Sequence, residues 1–201
     1  MEHTHEDLKG GLILVLGGAR SGKSSFARRL VEDSGGTVLF VATGEALDEE
    51  MGWRIEEHKR ERPKGWRTLE LSYGVGQRLA SELAGVDVVI VDCVTLLVSN
   101  ILMGLVADKD LGAVPDVESG EAERCMKEEI DGLLRCIEEH TACFVVVSNE
   151  VGLGLVPDNR LGRVYRDLLG RANQMLAARA RDVYFLVAGI PVKVKPEDPL
   201  C

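Results

Sequence analysis

A chain of 201 residues, 45% hydrophobic and 28% charged, is long enough for one α/β domain with a real core and too apolar to be a disordered segment. Its 33 acidic against 24 basic residues give a net charge of −9, which argues against a nucleic-acid binder. Aromatic residues are only 4%, so the core must rest on Val, Leu, Ile and Ala.

The polar opening MEHTHEDLKGG lacks the apolar segment of a signal peptide. Residues 1–10 read as a flexible tail, and His3 and His5 fit a frayed end better than a metal site. A single domain is expected over 11–195, followed by a C-terminal tail at 196–201. Apolar, β-rich runs recur as GLILVL (11–16), VLFVA (38–42), VDVVIV (86–91), CFVVV (143–147) and VYFLVA (183–188). The middle ones are almost continuously apolar, as strands buried on both faces are. Helix-length segments separate them at 23–33, 48–62, 74–84, 120–140 and 160–181, and the second should stop near Pro63. Strands alternating with helices predict an α/β fold with a mostly parallel central sheet flanked by helices. IPVKVK (190–195) is expected to add a short antiparallel edge strand whose lysines discourage further pairing. The Gly- and Asp-rich segment 104–122 reads as a surface loop. Cys93, Cys125, Cys136, Cys143 and Cys201 show no zinc spacing and fit free thiols in a reducing, cytoplasmic compartment. No apolar run approaches the roughly 20 residues of a membrane span, so no membrane insertion is expected.

The first strand runs into G-x-x-x-x-G-K-S: Gly17, Gly18, Ala19, Arg20, Ser21, Gly22, Lys23 and Ser24. Strand before and helix after are the context this phosphate-binding motif requires. Its glycines let successive N–H groups turn to one center, and the helix N-terminus adds positive potential. Lys23 is placed to reach the β- and γ-phosphates and Ser24 to ligand Mg²⁺. Asp92 ends the apolar strand VDVVIVD and fits a second Mg²⁺ anchor at the ligand-binding edge of the sheet. Together these imply a nucleoside triphosphate.

In the helix 48–62, Met51, Ile55 and His58 share a face, while Arg54, His58 and Arg62 form one i, i+4 row. Nearby cations disfavor imidazolium and attract phosphates. Two readings of His58 stand on spacing alone: a packed histidine on a solvated helix, or a neutral imidazole poised as a nucleophile.

The segments GGARSGKSSFARRL, VATGEALDEEMGWRIEEHKRERPKGWRTLE, VIVDCVTLLVSNIL and VSNEVGLGLVPDNRLGRVYRDLLGRANQ resemble, in order, the bifunctional adenosylcobinamide kinase / adenosylcobinamide-phosphate guanylyltransferase family. The R-I-x-x-H-[KR]-x-x-R-P and SNEVGxGxVPxN blocks carry most of the specificity. The resemblance implies a RecA-like P-loop fold and two activities. One phosphorylates the aminopropanol hydroxyl of adenosylcobinamide with ATP or GTP. The other transfers GMP from GTP onto that phosphate through a guanylylated histidine, which corresponds to His58. Lys23 is implied in the kinase step. Nucleotide contacts carry over to residues 17–24, to Ala42, Thr43 and Gly44, to Lys59, Arg60, Glu61 and Arg62, and to Glu70 and Asp92, with Mg²⁺ on Ser24 and Asp92. The family further implies a homotrimer.

SNEVGLGLVPDN follows a buried strand, so Asn149 and Glu150 are expected at the ligand edge, with Gly152 and Gly154 allowing tight backbone. Arg160, Arg163 and Arg166 recur at helical spacing, with Asp167 and Asn173 after them. They suit either a phosphorylated corrinoid, a neighboring subunit, or a solvated face paired with acids. The alternatives to the family reading are a P-loop kinase of another metabolite and a GTP-binding regulatory protein, although the sequence lacks N-K-x-D.

Overall fold

The computed structural model describes residues 8, 10–32, 34–45, 49–60, 62–106 and 119–195. The expected tails, at 1–10 and 196–201, fall almost entirely outside those residues. So does Glu61, and of the predicted loop at 104–122 so do residues 107–118.

The elements run β1 (Gly11–Gly17), α1 (Lys23–Glu32), β2 (Val38–Ala42), α2 (Glu49–Arg60), β3 (Arg67–Glu70), α3 (Val75–Ala80), β4 (Val88–Asp92), α4 (Val94–Val106), α5 (Ser119–Glu139), β5 (Cys143–Val147), α6 (Arg160–Arg179), β6 (Asp182–Val187) and β7 (Ile190–Lys195). The strands form one sheet in the order β3-β2-β4-β5-β1-β6-β7. All neighbors are parallel except the β6–β7 hairpin. β5 lies between β1 and the strand that ends at Asp92, the RecA-like arrangement.

Successive side chains of a strand point to opposite faces, and the core divides accordingly. Leu12, Leu14, Leu39, Val41, Val89, Val91, Phe144 and Val146 meet α3, α4, α5 and α6 on one face. Ile13, Val15, Phe40, Ile90 and Val145 meet Phe26, Ala27, Leu30 and Val31 of α1 on the other. Strands sandwiched this way need apolar residues at every position, which is why β2 and β5 are buried throughout.

Two elements escape the sequence reading. α4 is apolar almost all round because it is wedged among α5, α6 and the sheet, so it lacks the polar stripe that marks a surface helix. β3 has only four residues, three of them exposed, and is held as a strand by pairing with β2. The predicted surface loop is therefore corrected at both ends: residues 104–106 belong to α4 and 119–122 to α5. Arg62 is also corrected. α2 stops at Arg60, so Arg62 lies past its end and is no longer in a helical row with His58.

The edge strand β7 is antiparallel as expected, but its lysines do more than block pairing. Lys193 reaches Asp182 Oδ1 at 2.7 Å. Lys195 Nζ donates to the carbonyls of Ala177 and Ala178 at 3.0 and 3.2 Å, where the end of α6 leaves acceptors unfilled.

α3 and α5 pack so closely at Gly76 that an added Cβ would lie 2.1 Å from the Gly132 carbonyl oxygen. Gly76→Ala is expected to lower stability by about 1–3 kcal/mol through overpacking against backbone. Gly132→Ala, whose Cβ meets nothing within 4 Å, is expected to be neutral or slightly stabilizing. Urea denaturation of the two variants checks the contrast.

Candidate functional site

Parallel pairing brings the C-terminal ends of six strands to one edge. The register aligns Ala42 with Glu70 on one side and with Asp92 on the other, and Asp92 with Val147. Three residues singled out from the sequence, Ala42, Glu70 and Asp92, thus form a row across adjacent strands. β1 lies further along: Val15 is level with Val147, and Gly17 continues past it into the Gly-rich turn.

That turn has the backbone a phosphate cradle requires. Gly17 holds φ 151° and Gly22 φ 92°, and Arg20 takes φ 55°, uncommon for a residue with a side chain. A Cβ on Gly17 would come within 2.7 Å of both the Leu186 carbonyl oxygen and Ser21 Oγ, so only glycine fits. The β6–β7 turn braces the loop from outside, Gly189 N–H donating to the Ser21 carbonyl at 2.9 Å. α1 begins at Lys23, leaving its N-terminal amides facing the loop.

Lys23 is buried, and its ammonium donates to the Gly18 carbonyl at 2.6 Å. Burial lowers its pKa, partly opposed by Cys93 and Asp92 nearby. A cation kept this dry favors an anionic partner. Ser21 Oγ is buried and, among the described residues, has no hydrogen-bond partner. Lone buried donors around a glycine turn fit a polyphosphate. Ser24 and Asp92, both half-buried, supply the hard oxygen ligands Mg²⁺ takes when it rides on phosphates. Among the described residues no group of three or more His, Cys, Asp or Glu could hold a metal by itself.

The predicted triplet Ala42–Thr43–Gly44 joins the strand ends. Thr43 Oγ1 donates to the Cys93 carbonyl at 2.6 Å and accepts the Cys93 N–H at 2.8 Å. Asn100, buried in α4, donates to the carbonyls of Thr43 and Ser72 at 2.8 and 3.3 Å. Sequence reasoning misses Asn100; a lone amide inside the apolar run of α4 is the available signal. Cys93 is no nucleophile here, since burial, with Asp92 adding to it, pushes its thiol up to about 12.

α2 reaches the same edge. Ile55 Cδ1 would lie 3.5 Å from a Cβ at Gly44. Lys59 Nζ pairs with Glu70 Oε1 at 2.8 Å and with Glu56 at 3.4 Å, and these bonds, Glu70 first, raise its pKa. Lys59 and Glu70, 11 residues apart in sequence, are thereby brought together. Arg62 lies over the Phe40 ring, 4.1 Å from its centroid, and Trp66 stacks on that ring. Its Nε is buried without a partner among the described residues. Burial lowers the Arg62 pKa, while the nearby carboxylates of Asp92 and then Glu70 raise it. Arg60 ends α2 and is exposed. His58 belongs to α2, three positions after Ile55, but its side chain lies outside the described part of the structure, with those of Met51 and Arg54. Of the face expected to turn inward, Ile55 is the member whose side chain is described.

The Asn149–Glu150 segment sits at the edge as anticipated. Ser148 N–H donates to the Val15 carbonyl and Glu150 N–H to the Gly17 carbonyl. Asn173, grouped in the sequence reading with the arginines of the following helix, accepts from Ser148 Oγ at 2.7 Å and donates to the Asn149 carbonyl at 3.0 Å. Of the arginine row, Arg163 donates to the carbonyls of Pro157 and Asp158, and Arg166 to that of Gly152. Both staple the 151–158 loop to α6.

The model of a family described as "Cobinamide kinase / cobinamide phosphate guanyltransferase" matches residues 13–194. The chain is 44% identical over 185 residues to the bifunctional adenosylcobalamin biosynthesis protein CobU of Escherichia coli (strain K12), covering 92% of this chain and 99% of that protein. It is 43% identical to CobU of Salmonella typhimurium over the same shares. It is 41% identical to the bifunctional adenosylcobalamin biosynthesis protein CobP of Pseudomonas aeruginosa, over 92% of this chain and 97% of that one. Among solved structures it is similar to the flagellar accessory protein FlaH from Methanocaldococcus jannaschii, at 14% identity and a TM-score of 0.49, over 94% of this chain and 80% of the other. With the phosphate turn, the row of strand-end carboxylates and these near full-length matches in hand, the chain belongs to the cobinamide kinase / cobinamide phosphate guanyltransferase family.

Proposed function

We propose that this enzyme phosphorylates adenosylcobinamide with ATP or GTP and then transfers GMP from GTP to the product through a guanylyl-His58 intermediate, giving adenosylcobinamide-GDP. The observation that carries the reading is the Lys59–Glu70 contact, which fastens the helix bearing His58 to the strand edge that also carries Asp92.

In the kinase step the amides of residues 17–24 and the Lys23 ammonium hold the β- and γ-phosphates and stabilize charge as it develops. Ser24 and Asp92 would hold Mg²⁺, which when bound neutralizes phosphate charge. Bringing hydroxyl and γ-phosphorus together in line converts an encounter into an intramolecular reaction. In the transfer step His58 attacks the α-phosphorus of GTP and pyrophosphate leaves. The cobinamide phosphate then attacks the phosphoramidate and frees the imidazole. Ala42, Thr43, Gly44, Lys59, Arg60, Glu61 and Arg62 contact the nucleotide in this account. Glu70 accepts from its guanine or ribose. No helix among the described residues is long and apolar enough to cross a membrane. We place the enzyme in the cytoplasm as a homotrimer, on family resemblance.

Chromatography with mass spectrometry of a reaction containing adenosylcobinamide, GTP and Mg²⁺ tests this. The expected product is adenosylcobinamide-GDP, with the phosphate as its precursor. Phosphorylation without any GDP product would favor a simple kinase, and no turnover of the corrinoid would overturn the reading.

A further inference from the structure

We propose that Glu150 is the general base of the phosphoryl-transfer step, taking the proton from the substrate hydroxyl as it attacks the γ-phosphorus. The inference rests on the functional reading above and adds a catalytic residue to it.

Position is the first argument. β5 lies between the strand of the phosphate turn and the strand of Asp92, so the segment leaving β5 stands between those two groups. The ladder to β1 continues past the end of β5: Ser148 N–H meets the Val15 carbonyl at 2.9 Å and Glu150 N–H the Gly17 carbonyl at 3.0 Å. Glu150 is thereby hydrogen-bonded to the first residue of the cradle.

Rigidity is the second. Asn149 N–H donates to Thr95 Oγ1 at 2.8 Å, and the Ser148–Asn173–Asn149 chain fixes the backbone from α6. Arg166 holds the Gly152 carbonyl at 2.6 Å. A catalytic group needs this kind of support to keep its geometry.

Availability is the third. Among the described residues the Glu150 carboxylate pairs with no cation; it accepts only from Gly152 N–H, through Oε1. The other carboxylates at the edge are less suited. Glu70 is paired with Lys59 and stands four strands from β1, about 19 Å at roughly 4.8 Å per strand. Glu45 follows β2, three strands away, about 14 Å on the same spacing. Asp92, near enough to Lys23 to raise its pKa, is assigned to Mg²⁺.

The step balances without another reactant. The hydroxyl proton moves to Glu150, the oxygen–γ-phosphorus bond forms, and the bond from γ-phosphorus to the bridging oxygen breaks. The nucleoside diphosphate leaves with that electron pair, and Glu150 later releases its proton to water.

The test is Glu150→Gln, which keeps shape and an acceptor for Gly152 N–H. Phosphorylation of adenosylcobinamide is expected to lose about 10²–10⁴-fold in kcat, the usual contribution of a general base. Affinity for a fluorescent GTP analogue and GMP transfer to preformed adenosylcobinamide phosphate are expected to stay within about threefold. Glu150→Asp is expected to recover part of the lost kcat. Kinase turnover within about threefold of wild type would overturn the proposal. So would a parallel loss of nucleotide affinity and both activities, which marks a structural or metal-holding role. If wild type fails to phosphorylate adenosylcobinamide, the functional reading fails with it, a result distinct from a defect confined to the variant.

Discussion

Lys23→Ala is expected to lower kcat/KM of the kinase step by about 10²–10³-fold or more, the scale of losing one preorganized charge-stabilizing donor, about 2.7–4 kcal/mol. The ammonium is buried and, among the described residues, donates to the loop's own carbonyl at Gly18, so it is already at the mouth of the cradle. Its pKa is lowered chiefly by burial, so the site holds a charge that folding alone does not favor. A triphosphate supplies the missing counter-charge, most of all as negative charge builds on the oxygens in transit. The same reasoning predicts little stability loss. Lys23→Met keeps the aliphatic stem, and its thermal midpoint should stay within a few degrees of wild type while its activity falls. Normal phosphorylation by either variant would refute the role given to Lys23.

His58→Ala is expected to separate the two activities. Phosphorylation of adenosylcobinamide should remain within about threefold, because among the described residues α2 is tied to Glu70 of β3 and not to the phosphate turn. GMP transfer should fall by about 10⁴-fold or more, as enzymes do when a covalent nucleophile is removed. The tie between Lys59 and Glu70 lies on the far side of the strand row from Lys23, which is why one half-reaction can fail alone. Equal loss of both, with a lowered melting temperature, would recast His58 as a packing residue. Steady-state rates with adenosylcobinamide and, separately, with its phosphate distinguish the outcomes.

The phosphate turn is legible in the sequence because its chemistry is local: residues 17–24 carry their own glycines, lysine and helix start. The buried strands are legible because burial on both faces forces continuous apolarity, as in β5. The features that escape are decided by distant partners. The sequence predicts a helix over 74–84 but not the cap of α3: Gly74, the N-cap, holds φ 62°, and the amides of Gly74 and Val75 donate to the Glu129 carboxylate, 55 and 54 residues away in α5. Asn100 gains its meaning from carbonyls at Thr43 and Ser72, which no spacing in the chain reveals. The arginines of α6 show what periodicity alone leaves open: it suits a ligand, a partner or a solvated face, while the structure shows those at 163 and 166 donating to carbonyls of the 151–158 loop. Arg62 leaves its helical row because α2 ends two residues earlier, and it meets the Phe40 ring instead.

Intact-mass measurement of the wild-type protein after incubation with GTP and Mg²⁺, in the absence of corrinoid, tests the central claim most directly. A mass gain of one guanylyl group is predicted, absent in His58→Ala and discharged by adding adenosylcobinamide phosphate. An unchanged mass under conditions where the wild-type enzyme makes adenosylcobinamide-GDP would contradict it, as would the same gain in His58→Ala.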